Sequence, residues 1–174
     1  ADLEAADEAT DDQLAAVLAL PLRRRTRTMI ILAAYAGLRA HEIAKIRGED
    51  IDTRAGTITI TGKGGRTDTL PAHALVLQAA ADHPRRGWWF PSPVNPDRPI
   101  TAKNVGAVIA AALRRAGVNA TAHQLRHRFA TALLRGGADS RIVQTLMRHE
   151  SLATTALYLA VDADQQTTAL NALA

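Results

Sequence analysis

The sequence predicts a mainly α-helical domain with one small three-stranded antiparallel sheet, an α+β fold. Three observations carry this. The chain of 174 residues is 47% hydrophobic but only 3% aromatic and rich in alanine, a composition that suits close-packed helices better than a β-sandwich. Apolar residues recur at helical spacing along most of its length. Residues 49–71 alone change period, alternating β-branched and polar residues around two glycine-bearing turns, "EDIDTRAGTITITGKGGRTDTLP", as hairpin-linked strands do.

Each element follows in order. "TDDQLAAVLAL" opens a helix with Thr10 and Gln13 spaced as a capping box. "RRRTRTMIILAAYAG" predicts a second, largely buried helix that ends near Gly37, and "AHEIAKI" a short third. After the sheet, "AHALVLQAAADH" returns to helix, and "PRRGWWFPSPVNPDRP" predicts a proline-rich surface loop. Helices are then expected at about 101–116, 121–135, 139–148 and 151–160. A last short helix is expected in the tail, "DADQQTTALNALA", capped by Asp162. With two leucines it is too short to stand alone in water, so it must dock on something or fray.

Composition also bounds function. There is no cysteine, which excludes disulfides and thiolate metal sites. No apolar run reaches membrane-spanning length and no signal peptide opens the chain. The net charge is +4, unevenly placed. Residues 1–12 hold Asp2, Glu4, Asp7, Glu8, Asp11 and Asp12 and no Lys or Arg, so all 21 basic residues lie in the remainder. An acidic leader on a basic body suits a domain that binds a polyanion.

The stretch "HQLRH" at 123–127 raises the sharpest chemical question. His123 and His127, four apart, share one helical face, as in the zinc-peptidase motif H-E-x-x-H. That motif needs a glutamate beside the first histidine as general base. Gln124 stands there instead and cannot accept a proton, and no third ligand is evident. Read as His123-x-x-Arg126, the stretch sets an imidazole beside a guanidinium, the preferred bidentate partner of a phosphate. Such a pair needs further cations and a nucleophile, and the chain has candidates. Arg39 follows a helix end in "AGLRAHEIAKI", with Glu42 three residues on to brace it. Lys63 sits at a glycine-flanked hairpin tip. "LMRHESLATTALYLAV" supplies His149 and, nine residues later, Tyr158. Each alone reads as easily as an ordinary surface or packing residue.

Together these residues resemble the catalytic domain of the tyrosine recombinases, the phage integrase family. The resemblance rests on "AGLRAHE", "GKGGR", "HQLRHRFAT" and "RHESLATTALY" in that order, and runs from about residue 10 to the end. One departure is Arg148, where the family usually has glycine before the histidine. The resemblance implies a tyrosine recombinase catalytic-domain fold over 10–174, with residues 1–9 as an acidic interdomain linker and the family's separate N-terminal DNA-clamping domain absent. The first residue is not Met, which suits an excised domain.

The resemblance implies the following roles. Arg39, Arg126 and His149 hold the non-bridging phosphate oxygens, Tyr158 attacks phosphorus, His123 is the base and Lys63 the general acid. An unperturbed phenol is only about 0.1% ionised at pH 7, so the attacking tyrosine needs that base or a strong positive field. The product is a 3′-phosphotyrosyl link and a free 5′ hydroxyl. The covalent link stores the energy of the broken backbone, so no cofactor and no metal are required. His127 is expected to support the helix. Arg66, Lys103, Arg114, Arg115 and Arg148 are the further cations expected on DNA. The implied partners are double-stranded attachment sites and three further copies of the chain on DNA, with a monomer when free and no membrane. The implied place is the cytoplasm of a bacterial host, at the nucleoid. The tail is expected to dock in trans within the tetramer and in cis in the free monomer. A type IB topoisomerase or a non-catalytic DNA-binding relative are the alternatives.

Overall fold

A computed structural model describes residues 9–148 and 163–173. The expected class is found: helices surround one antiparallel sheet. Helix α1 (Asp11–Leu18) is opened by the capping box of Thr10 and Gln13, the Thr10 backbone N–H donating to Gln13 Oε1 at 2.9 Å and Gln13 N–H to Thr10 Oγ1 at 3.1 Å. Helix α2 (Arg24–Tyr35) is the central rod of the domain. Its stretch from Thr28 to Tyr35 is buried throughout, because α4 (Ala74–Ala79), α5 (Ala102–Arg115) and α6 (Ala122–Arg135) all pack on it.

Helix α3 (Ala40–Ala44) lies against α5. Strands β1 (Ile51–Asp52), β2 (Thr57–Thr61) and β3 (Thr67–Pro71) pair in chain order. In the β2–β3 register Ile58 faces Leu70 and Ile60 faces Asp68. Ile58, Ile60 and Leu70 are buried, so the period of two seen in the sequence is the inward face of the sheet.

The proline-rich segment is less superficial than expected. Trp89 and Phe90 are buried in the core. Trp89 N–H donates to Ile46 O at 3.0 Å and Ile100 N–H to Phe90 O at 2.8 Å, stitching the loop to the body at both ends. His83 stacks on Trp89 at 4.7 Å and holds Thr28 Oγ1 through Nε2 at 2.7 Å. Prolines and glycines correctly marked the absence of helix here, but the aromatics between them outweigh the loop's polarity.

Helix α7 (Ser140–Met147) packs on α6, and α8 (Ala163–Asn171) on β3 and α7. Leu170 and Leu173 are buried, and the Leu173 carbonyl meets His73 Nε2 at 3.2 Å. The tail therefore docks in cis. The helix expected at 151–160, and Asp162 with its capping role, lie outside the described residues. Among the described residues no helix is long and apolar enough to cross a membrane.

Candidate active site

The site is built where two helices end. Helix α2 stops at Ala36, and Gly37 turns the chain with φ +65°. Any side chain there would be strained in φ, and a Cβ would lie 2.5 Å from the Phe129 ring. Glycine is thus required twice over. The turn delivers Arg39 to the N-cap of α3, its side chain 36% exposed.

Helix α6 starts at Thr121, whose backbone N–H donates to Gln124 Oε1 at 2.8 Å. Leu125, Phe129 and Leu133 form its buried face. Arg126, on the rim of that face, is 5% exposed. Its guanidinium donates to the Gly37 carbonyl through Nη1 and to the Met147 carbonyl through Nη2 at 3.0 Å. One cation thus ties the turn after α2 to the last turn of α7. The final carbonyls of a helix lack partners along the chain and carry its negative dipole end, so a buried guanidinium is well placed to satisfy them.

These elements leave a cleft of about 260 Å³ lined by Leu38, Arg39, Ala40, Ala122, His123 and Arg126. Arg39 and the pair His123 and Arg126, more than eighty residues away in sequence, line one space. His123 is exposed, its ring 4.3 Å from that of His127. The two rings lie tilted against each other on the outer face of α6. Among the described residues no cluster of three or more His, Asp or Glu suits a metal ion.

Glu42 is 3% exposed and braces more than Arg39. Its Oε1 accepts the Arg39 backbone N–H at 2.7 Å and Arg148 Nη2 at 2.8 Å, while Oε2 lies 3.6 Å from Arg39 Nη1. Burial pushes this carboxyl up. The charge of Arg148, the Arg39 N–H, the Arg148 hydrogen bond and the charge of Arg39 together outweigh it, and hold Glu42 below the usual carboxylate range.

The expectation that Arg148 contacts DNA is corrected. Arg148 is 5% exposed and faces inward. It ends α7 with φ 58° and ψ 54°, the left-handed conformation in which glycine is the natural occupant. Its guanidinium is spread over the Ala36, Gly37 and Leu146 carbonyls and Glu42.

The hairpin tip behaves otherwise. Lys63 and Arg66 are exposed on a turn shaped by the positive φ of Gly64 and Gly65. The hairpin is moored at its base, where Lys45 Nζ donates to the Gly62 carbonyl at 3.3 Å. Lys63 lies close enough to α3 to act on His41, whose imidazole is held below its usual range by burial, with Lys45, Arg39 and Lys63 adding to the effect against Glu42.

Lys103, Arg114 and Arg115 are exposed on α5. Lys103 stands in its first turn. Arg115 stands in its last, beside Arg23 and Arg25 around a separate groove. His149 and Tyr158 lie outside the described residues. Sequence reasoning also missed Arg128, which is buried, pairs with Asp11 at 3.2 Å and lies 5.4 Å over the Tyr35 ring. The "RHRF" spacing, which sets Arg128 one residue before a core phenylalanine, was the available signal.

The family model described as "Phage integrase family" matches residues 7–165. The chain belongs to the phage integrase family. Among solved structures of that family, the integrase from mycobacterium phage Brujita is 43% identical with a TM-score of 0.88, over 96% of this chain and 57% of the other. The tyrosine recombinase XerA of Pyrococcus furiosus is 35% identical over 146 residues, 80% of this chain and 51% of the relative. XerD of Mycobacterium tuberculosis is 36% identical over 153 residues, 81% and 49% of the two chains. The chain spans about half the length of the curated relatives it matches.

Proposed function

We propose that this chain is the catalytic half of a tyrosine-type site-specific DNA recombinase, which cuts and rejoins DNA through a 3′-phosphotyrosyl intermediate. One observation carries the reading: Arg39, His123 and Arg126 converge on one cleft, with both arginines set by backbone or carboxylate partners. Two guanidiniums fixed before substrate arrives suit a phosphodiester transition state, which spreads extra charge over its non-bridging oxygens. Donors held in place need no reorganisation as that charge grows, and each contributes about 3–4 kcal/mol in a dry site.

In this scheme Tyr158 is the nucleophile and His123, at the rim of the cleft, takes its proton. Lys63 reaches in from the exposed hairpin to protonate the departing 5′ oxygen, and His149 adds a hydrogen bond to the phosphate. Attack by a 5′ hydroxyl of another duplex reverses the steps and exchanges strands. Neither cofactor nor metal enters. The partners are double-stranded attachment sites and further copies of the chain, four on DNA and one when free. Arg66, Lys103, Arg114 and Arg115, all exposed, supply non-specific phosphate contacts. The setting is the cytoplasm of a bacterial host. The named relatives are integrases and Xer recombinases, which favours this reading over a topoisomerase.

The test is incubation with nicked suicide duplexes drawn from a randomised pool, followed by a search for a covalent protein–DNA adduct. The adduct is expected on Tyr158, to be lost in Tyr158→Phe with DNA binding retained, and to survive excess chelator. An adduct on Tyr35, or cleavage restored only by zinc, would overturn the assignment.

A further inference from the structure

Arg148 is placed as no ordinary surface arginine would be. It takes a left-handed backbone conformation that costs a residue with a Cβ about 1–2 kcal/mol, and buries a charge that water would solvate freely. Contacts of both Nη atoms offset these costs, while Nε is buried with no hydrogen-bond partner among the described residues. Nη1 donates to Leu146 O at 2.8 Å and Ala36 O at 3.4 Å, and Nη2 to Glu42 Oε1 at 2.8 Å and Gly37 O at 3.2 Å. The Gly37 carbonyl also accepts from Arg126. The two guanidiniums therefore grip the same turn, one from the cleft side and one from behind.

Glu42 is the point where this matters for charge. Its carboxylate lies between two cations, at 2.8 Å from Arg148 Nη2 and 3.6 Å from Arg39 Nη1. The closer partner takes most of the pairing. If Arg148 were absent, the buried carboxylate would have Arg39 as its remaining ion-pair partner among the described residues. It would then draw the Arg39 guanidinium onto itself and away from the cleft.

We infer that Arg148 is a positioning residue for the phosphate site: it neutralises Glu42 from behind, so that Arg39 keeps its positive charge and its reach for a phosphate in the cleft. Arg39, Arg126 and Arg148 against Glu42 leave two uncompensated positive charges around the cleft; without Arg148 one remains. The inference rests on the reading of the cleft as a phosphate site, and the ion pair must act through Arg39, since Arg148 itself does not line the cleft.

The experiment measures inorganic phosphate binding to the full chain by the chemical shift of the His123 ring, alongside circular dichroism and adduct formation on a selected nicked duplex. Arg148→Gly, which relieves the left-handed strain, is expected to lower phosphate affinity at least fivefold and to slow adduct formation at least tenfold. Adding Glu42→Gln to it removes the stranded carboxylate and should recover most of both losses. Glu42→Gln alone, with Arg148 kept, should raise phosphate affinity, and it decides the matter if Arg148→Gly fails to fold. A merely structural role predicts a lower melting temperature with phosphate affinity unchanged in the folded variant, and a double variant worse than the single one. Phosphate affinity within twofold of the parent in folded Arg148→Gly, or no gain from Glu42→Gln, would overturn the inference. Absence of any adduct from the parent chain would count against the recombinase reading, while the phosphate series still decides the role of Arg148.

Discussion

The two ends of the candidate site hold their cations in opposite ways. In the cleft, Arg126 is buried and fixed by backbone carbonyls from two helix ends. At the hairpin tip, Lys63 is exposed on a glycine turn moored at its base. A guanidinium with its donors already engaged has a fixed direction and adds field strength without reorganising. An ammonium on a free stem has reach and rotation, and can carry a proton to a leaving group. The first arrangement makes charge part of the fold; the second leaves it independent of the fold. Stability and chemistry should accordingly respond together at one end and separately at the other.

Arg126→Ala attacks the first end and should have the largest effect. It removes the side-chain donor from the Met147 carbonyl, leaves the Gly37 carbonyl with Arg148 alone and opens a void, for a loss of about 3 kcal/mol. Adduct formation should fall by a factor of hundreds or more. Thermal melting and single-turnover cleavage on one preparation check both. Lys63→Ala comes next, slowing cleavage by about a hundredfold while the melting temperature stays within about 1 °C. A comparable loss of stability in both variants would erase the contrast. Gly37→Ala tests the turn that both arginines grip. The positive φ and the approach to Phe129 should cost about 2 kcal/mol or more, measured by urea unfolding.

The smallest effect lies away from the site. His83, between Thr28 and Trp89, is held below its ordinary pKa by burial, with Arg24 adding to this and Asp82 opposing it. The unfolded chain therefore binds a proton more readily than the folded one. The stability linked to neutral His83 is complete above about pH 6.5 and is lost as pH falls through the lower, folded value. His83→Gln should lose less melting temperature between pH 7.5 and 5.5 than the parent. His41, shifted in the same direction, leaves a residual slope.

Much of this was legible along the chain, where the signal is local. The capping partners Thr10 and Gln13 lie three residues apart, and the sheet announces itself by a period of two. Arg39, His123 and Arg126 were recognisable from motifs whose spacing is short. What stayed hidden depends on pairs far apart in sequence. Glu42 and Arg148 are separated by more than a hundred residues, and an arginine is by default an exposed residue, so its inward turn could not be read from "LMRHE". The one available hint was that it occupies a glycine position, which marks a left-handed backbone and not the direction of the side chain. Trp89 and Phe90 were obscured for the opposite reason, being apolar residues inside a loop composition.

The described chain begins at Ala9, which is buried and whose N–H donates to the Gln124 carbonyl at 3.3 Å. Two residues later Asp11 meets Arg128 at 3.2 Å and Arg135 at 3.5 Å, both on α6. The entry to α1 is therefore clipped to the first turn of α6 by the Ala9 backbone and to its middle and last turns by the Asp11 side chain. In mechanical terms these are a fixed pin and two salt-sensitive springs on a single lever. That lever carries His123 and Arg126. A force applied to the chain at residue 9 is shared with α6 through these contacts. High ionic strength should soften the linkage at its exposed end, where Asp11 meets Arg135.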